Sequence, residues 1–513
     1  MQRRVFLAVI AVLVLVIGLL PVAAMLVRSV LSEGRLSLAA YDGLLGSGRQ
    51  WTLMGHSLAL ASLVTVPAVI LGVPLGVVLG KTDLPGRRFL TVLFVIPLLI
   101  PPYIMAVAWS DLLGGSGLLF GLAGCVFVLL GIFLPIPLLL TMVLLRTVDP
   151  RLEEAGLLAG GWGRVLRGIT LPLIRPGILL AAMLVFLLSC GEFSVPNYLR
   201  YDVFSVECFT QFSAFYDFKA ATAAAVPLAV VTLLILLLER MFLREKTYRL
   251  RPAAGADRLP RMALGRWRGW VLGAVWMTAL VLVIVPLGVL VARSGGPAAY
   301  AEALHRAGDS LLRSLGYAVI GATLLSLLGF FTGYLIQTRA LGIWRFIDTV
   351  TVFLFALPGT VIGIGLISLW NTPWTNFIYG TPVIIILGYL ARYTALTSRI
   401  CVAQLEQIPP SMTEAARMAG AGWVRHMAFI IAPLARRGLV AGWLVGYVFS
   451  LRDTGITMLV YPPGHETMPV RIFTLMANGS PQLVAAACVV MITATLLPPG
   501  LLWLGLNKEK GNP

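Results

Sequence analysis

The side chains able to do chemistry are few in this chain, and they do not gather. His56, His305, His426 and His465 lie far apart in sequence and show no metal-ligand spacing. Cys125, Cys190, Cys208, Cys401 and Cys488 form no C-x-x-C pair. Most read as packing residues, although Cys190 and Cys208 both fall near one outer face, where a disulfide is chemically permitted. A phosphate-cradling loop is approached most nearly at Gly76 through Gly80-Lys81-Thr82, but the pattern needs glycine where Leu75 stands. That segment leaves an apolar run and not a strand, so Lys81 reads as a snorkelling lysine at a membrane exit. The sequence therefore assigns this chain no catalytic residue, no metal site and no cofactor of its own.

Two acids hold related positions. Glu192 lies twenty residues after Pro172, and Asp453 twenty residues after Pro433. Two carboxylates near a shared pathway would focus a negative field and favour a cation over an anion, which makes Glu192 and Asp453 gate candidates. The plainer reading is that each ties down its own outer loop, with Arg452 neutralising part of the field beside Asp453.

The elements that must position these residues are membrane helices. Of the 513 residues, 59% are hydrophobic and 12% charged, with a mean hydropathy of +0.92, more apolar sequence than a soluble core absorbs. Runs of about 20 apolar residues, enough to cross roughly 30 Å of hydrocarbon, begin near Val5, Ser57, Phe89, Leu118, Pro176 and Ala220. A second series begins near Trp270, Ser314, Ile347, Pro382, Gly438 and Leu483. The run behind Arg3 and Arg4 is longer than a signal-peptide core and reads as a retained anchor. The expected fold is all-α, a polytopic membrane protein of about twelve transmembrane helices.

The formal charge of +17 does not call for a nucleic acid. Sorted by these spans, 28 of the 39 Lys and Arg share the side of the N-terminus, 10 lie opposite, and Arg392 is within a span. That is the positive-inside bias, and it puts both termini in the cytoplasm. The densest basic cluster, Arg240 to Arg268, also holds Pro252, Gly255 and Pro260. It reads as a cytoplasmic linker over 243–268, able to touch anionic lipid headgroups.

The chain repeats itself. At an offset of 257, Ser57 falls on Ser314, Arg88 on Arg345 and Phe89 on Phe346. At 261, Pro97 falls on Pro358, Trp109 on Trp370, Glu153 on Glu414, Ala155 on Ala416, Trp162 on Trp423, Pro172 on Pro433 and Gly177 on Gly438. The change between Phe89 and Pro97 makes the second copy about one helical turn longer there. Two repeats, 1–242 and 269–513, follow, each with six spans and hence in the same orientation.

The most strongly repeated stretch is moderately polar, lying in loops 147–175 and 403–437. Ser411 and Glu414 have capping-box spacing, and Gly420 suits a left-handed helix end. Here the sequence resembles the permeases of type I ABC importers, whose cytoplasmic loop carries an EAA motif, then Gly, then a hydrophobic-x-Leu-Pro ending. The second copy matches at Glu414, Ala415, Ala416, Gly420, Ile430 and Pro433, with Ala432 in place of Leu. In the first copy a gapless register, which we adopt, makes Glu153 the motif acid, with Glu154 in the first Ala position, Ala155 following, and Ala159 in the Gly position. A one-residue slip would use Glu154 and Gly160, and Gly161 follows in either register.

The resemblance implies a coupling helix in each loop that docks on a cytoplasmic ATPase. It thus implies two ATP-binding subunits carrying ATP and Mg, an extracytoplasmic substrate-binding protein, and a bacterial inner-membrane location. Fusion of both halves looks most like the permeases for ferric iron, with thiamine and phosphonate permeases close by. The expected function is alternating access at the interface of the two repeats, for ferric iron or another small solute. The rival is an ion-coupled secondary transporter with a parallel repeat, which would place coupling acids near mid-membrane. Only Asp348 and Arg392 fall plainly within spans, and neither is matched in the other half.

Overall fold

A chain this apolar must satisfy its backbone internally, and helices do so within a single segment. The computed structural model describes residues 2–32, 35–36, 41–42, 46–114, 117–214, 218–243 and 261–509. Among them, nine helices are long and apolar enough to cross a membrane. Three further pairs, Arg87–Leu99 with Pro102–Leu113, Trp344–Ala356 with Gly359–Trp370, and Trp423–Leu434 with Arg436–Arg452, are bent by 99°, 111° and 72°. Counting each bent pair as one span gives twelve, as the sequence predicts. The only strands among the described residues are Leu31–Ser32 and Arg35–Leu36, two residues each. Most of the basic linker, residues 244–260, lies outside the described residues.

The helix bounds carry the repeat further than residue identities do and correct its register. Helices Arg87–Leu99 and Trp344–Ala356 are both 13 residues long, and Pro102–Leu113 and Gly359–Trp370 are both 12. All four ends keep the 257 offset, so the break is Ile100-Pro101 in one copy and Leu357-Pro358 in the other. Ile100 and Leu357 are both extended, as a residue before proline prefers. Pro97, matched to Pro358 from sequence, instead lies inside its helix, and Trp370 occupies the place of Leu113 and not of Trp109. The four extra residues of the second copy sit in the following connection, where Pro373–Thr375 and Asn376–Tyr379 form two short turns. A loop absorbs four residues cheaply, whereas a helix would lengthen by about 6 Å.

The first span is also repeated. Gln2–Val14 leads into a π-turn at Leu15–Leu19 and then Leu20–Val30, while Arg268–Ala279 leads into a π-turn at Leu280–Ile284 and then Val285–Arg293. Pro21 and Arg28 thereby correspond to Pro286 and Arg293.

Two compact units result, and they are not the two repeats. One comprises Met1–Gln50, Glu207–Val230 and Gly295–Pro513, the other Trp51–Val206 and Val231–Ser294. Each repeat has lent its first span to the unit built mainly from the other. In the first unit, Gly365 lets helix Gly359–Trp370 lie against the backbone of Pro21 and Val22, where an added Cβ would stand 3.1 Å from Pro21. In the second, Val275, Ala279, Leu282 and Val283 share a buried cluster with Leu79, Leu90, Phe94 and Leu138.

Lipid tails do not drive helices together, so close approach has to come from small residues. Gly72 and Gly76 press helix Gly48–Lys81 onto Pro135–Leu145, and an added Cβ would meet Pro137 Cγ and the Leu138 carbonyl, each at 2.6 Å. Gly329 and Gly333 repeat this against Thr397 and Ser398. All five cysteines are buried and free, so Cys190 and Cys208 form no disulfide.

Candidate functional site

The first loop helix starts at Pro150, whose fixed φ suits a first helical position. It is capped by Asp149, whose carboxylate accepts from the Arg151 amide at 3.0 Å. Its regular part stops at Gly160, and Gly161, at φ +62°, turns the chain in a conformation that favours glycine. Arg164 Nη1 donates to the Ala159 carbonyl at 2.6 Å, a cation on a helix C-terminus.

The second loop helix, Pro410–Met418, also opens on proline. It ends with Gly420 at φ +74°, and the Ala421 amide closes back on the Ala416 carbonyl at 3.0 Å. Ser411 is its second residue, so the capping box expected from Ser411 and Glu414 is not the start of this helix. Both loops then pass through π-turns, Leu166–Thr170 and Met427–Ile431.

These bounds set the register between the loops. Pro150 and Pro410, Glu154 and Glu414, and Gly160 and Gly420 each differ by 260, and only from Trp162 and Trp423 onward does 261 apply. The gapless register is therefore corrected, and the one-residue slip describes the helices. The first copy is one residue shorter in the turn beyond Gly160, where a loop tolerates the loss. Burial agrees, since Glu154 and Glu414 are exposed while Glu153 is 0% exposed. Ala155 and Ala415, one step on, are also exposed.

Two apolar pairs that the sequence reading passed over share this register. Leu152 and Met412 are about half exposed, and Leu158 and Met418 are 92% and 89% exposed. Glu154 and Leu158 are four apart, on one helical face, as are Glu414 and Met418. The signal was present as apolar residues at equal distances from each opening proline, and the 261 offset hid it.

Lys81 does not snorkel. At 1% exposure it forms a salt bridge and hydrogen bond with Glu153, which also accepts from Thr170 Oγ1 at 2.7 Å. Just beyond, the Met262 amide donates to the Lys81 carbonyl at 2.9 Å, and the Leu264 amide donates to Asp83 Oδ1 at 3.1 Å. The end of the linker region is thus tied to the exit of helix Gly48–Lys81.

Of the two gate candidates, Glu192 bonds within its own loop, whereas Asp453 bonds both its own loop and helix Val383–Leu405. Glu192 accepts from the amide and the hydroxyl of Ser194, at the head of the short helix Ser194–Tyr198. Asp453 is buried and accepts from Tyr393 Oη at 2.6 Å, Arg392 Nη1 at 3.2 Å, and the amides of Ile456 and Thr457 at 3.0 and 3.1 Å. Arg392, within its span, is thereby paired, and Asp348 is paired with Arg399 at 2.8 Å. The described residues hold no group of three or more metal-ligating side chains.

Residues 72–245 match the family described as binding-protein-dependent transport system inner membrane component, a stretch that contains the whole first loop and the helices on either side of it. That stretch is about a third of the chain. The chain is also 23% identical over 462 residues to the ferric transport system permease protein FbpB of Actinobacillus pleuropneumoniae, covering 82% of this chain and 65% of that protein. It is 22% identical over 509 residues to the Fe(3+)-transport system permease protein FbpB 2 of Haemophilus influenzae, covering 96% and 97%. The spermidine/putrescine transport system permease protein PotC of Escherichia coli aligns over 219 residues at 24% identity, which is 40% of this chain but 78% of PotC. The likeness thus runs along nearly the whole length of one relative and over most of a shorter one.

Proposed function

We propose that this permease is the membrane subunit of an ATP-driven importer of the inner membrane. Each loop helix docks one ATP-binding subunit in the cytoplasm, and an extracytoplasmic binding protein delivers the solute. ATP and Mg are held by those partners, and this chain performs no chemistry on its cargo. Nucleotide-driven movement of the docked subunits is passed through the loop helices to the two repeats, which open alternately to either side. The proposed cargo is ferric iron or another small solute, in keeping with the names of the long relatives.

The observation that carries this reading is the trio Leu152, Glu154 and Leu158, matched by Met412, Glu414 and Met418. A nearly bare leucine and a nearly bare methionine, at one register position on the two loop helices, make apolar anchors for a partner groove, and an exposed acid beside each adds orientation. The positive-inside bias supports a cytoplasmic side for both helices. Co-expression with a candidate ATP-binding subunit tests the reading. That subunit should co-purify with the wild-type chain and be lost from Leu158→Asp/Met418→Asp, while membrane insertion is unchanged. Retention by the double variant would refute the docking assignment.

A further inference from the structure

The pair Lys81 and Glu153 has no part in docking, because neither side chain reaches solvent. One carboxylate oxygen, Oε1, takes both Lys81 Nζ and Thr170 Oγ1, and Oε2 has no hydrogen-bond partner among the described residues. A buried carboxylate so placed depends on its counter-charge, and separating the two is far costlier than moving them together. The three groups come from three segments: the last residue of helix Gly48–Lys81, the first turn of the loop helix, and the π-turn Leu166–Thr170.

The second copy lacks all three. Thr338 stands at the position of Lys81, Thr413 at that of Glu153, and Ile431 at that of Thr170. Thr338 Oγ1 donates to the Tyr334 carbonyl of its own helix at 2.7 Å, and Ile431 is buried. Base, acid and hydroxyl are present together in one repeat and absent together from the other, as expected of a unit that is useful only when complete.

We propose that Lys81, Glu153 and Thr170 form a buried latch that makes the first loop helix move as one body with helix Gly48–Lys81. The second loop helix has no latch and moves independently of helix Pro297–Thr338. Glu153 is then a positioning residue, and Glu154 beside it is the docking acid. Because the Lys81 carbonyl accepts from Met262, a displacement of the loop helix also reaches the segment leading into Arg268–Ala279. The proposal rests on the docking reading only for the source of the push.

Hydrogen exchange on the full-length permease in nanodiscs tests the latch without any partner. Lys81→Met and Glu153→Gln should each speed exchange of the 152–159 amides by about tenfold or more and leave 412–419 within about twofold. The triple variant Lys81→Thr/Glu153→Thr/Thr170→Ile installs the second copy's residues and leaves no charge unpaired, so it should fold even where a single variant does not. Its 152–159 segment should exchange at the rate of 412–419. Unchanged exchange at 152–159 in the triple variant, or equal acceleration of both loops, would overturn the latch.

A second arm uses the assembled complex and a non-hydrolysable ATP analogue. In the wild type, protection should change at both 152–159 and 76–82, and in the triple variant at 152–159 alone. An equal change at 76–82 in both would show that movement is transmitted without the latch and would overturn it. Failure of any ATP-binding subunit to bind the wild type would count against the proposed function instead, and the first arm would still decide the latch.

Discussion

Ser57 and Ser314 do the same work in the two repeats. The Ser57 hydroxyl accepts from the Phe204 amide at 2.8 Å, and the Ser314 hydroxyl from the Met468 amide at 2.6 Å, each at the head of an outer helix, Phe204–Ser213 and Met468–Asn478. Both serines are buried, so removing either leaves an amide without its acceptor. Ser57→Ala and Ser314→Ala should each cost about 1–2 kcal/mol, read as a lowered thermal transition in detergent. The two serines share no hydrogen-bond partner, so their costs should add to within about 0.5 kcal/mol in the double variant.

Close packing at the repeated glycines predicts a similar pair. A methyl at Gly76 or Gly333 would stand 2.6 or 2.8 Å from a backbone carbonyl that cannot move aside easily. Gly76→Ala and Gly333→Ala should each lose about 1–3 kcal/mol, whereas Gly273→Ala, with open space around it, should be neutral. Thermal transitions of the three variants decide this.

Charge reversal separates the two acids of the first loop. On the docking proposal, Glu154→Lys and Glu414→Lys should insert normally but lower affinity for an ATP-binding subunit by about tenfold, near 1.4 kcal/mol, as measured by pull-down titration. Each also places a positive charge near a helix N-terminus, where the dipole disfavours it. Glu153→Lys should instead set two buried cations against each other and reduce the amount of folded protein. Equal effects at positions 153 and 154 would contradict the register drawn from the helix bounds.

A cut in the gene between Ala253 and Asp257 should leave transport intact when both pieces are made together. Each piece supplies a span that packs within the compact unit built largely from the other, so the two should co-purify through detergent. Either piece alone should be degraded, a result followed readily by immunoblot. Loss of co-purification would contradict the exchange of first spans.

Neutralising the outer acids should have unequal effects. Asp453→Asn weakens a buried acceptor of Tyr393, Arg392 and two amides, and should cost about 2–4 kcal/mol. Glu192→Gln weakens a loop contact and should cost about 1 kcal/mol. If the acids also face the cargo, uptake of ferric iron should fall in Glu192→Gln at unchanged folded amount. Unchanged uptake there would remove the charge argument for a cation.

Sequence spacing alone pointed to the helices, the duplication and the two loops, because apolar runs of membrane length and a repeated Glu-Ala pair with its following Gly, Trp and Pro survive as identities. It misplaced Pro97 and Trp109 because chance identities in an apolar helix outweighed equal helix lengths, and Pro101 shares no special neighbour with Pro358. Lys81 read as snorkelling because its partner lies 72 residues away. The exchanged spans left little trace, since Pro21 with Pro286 and Arg28 with Arg293 match at an offset of 265 that no other part of the chain uses.

That exchange has a consequence in time. The segment Gln2–Val30 reaches the membrane well before helix Gly359–Trp370, against which it rests and which is made more than 300 residues later. At typical synthesis speeds of about 5–20 residues per second, the first span waits roughly 15–70 s for its neighbour. It can wait because its backbone bonds are all internal and lipid is an adequate solvent for its apolar faces. Assembly of this protein therefore stores early helices in the bilayer and joins them to partners made much later.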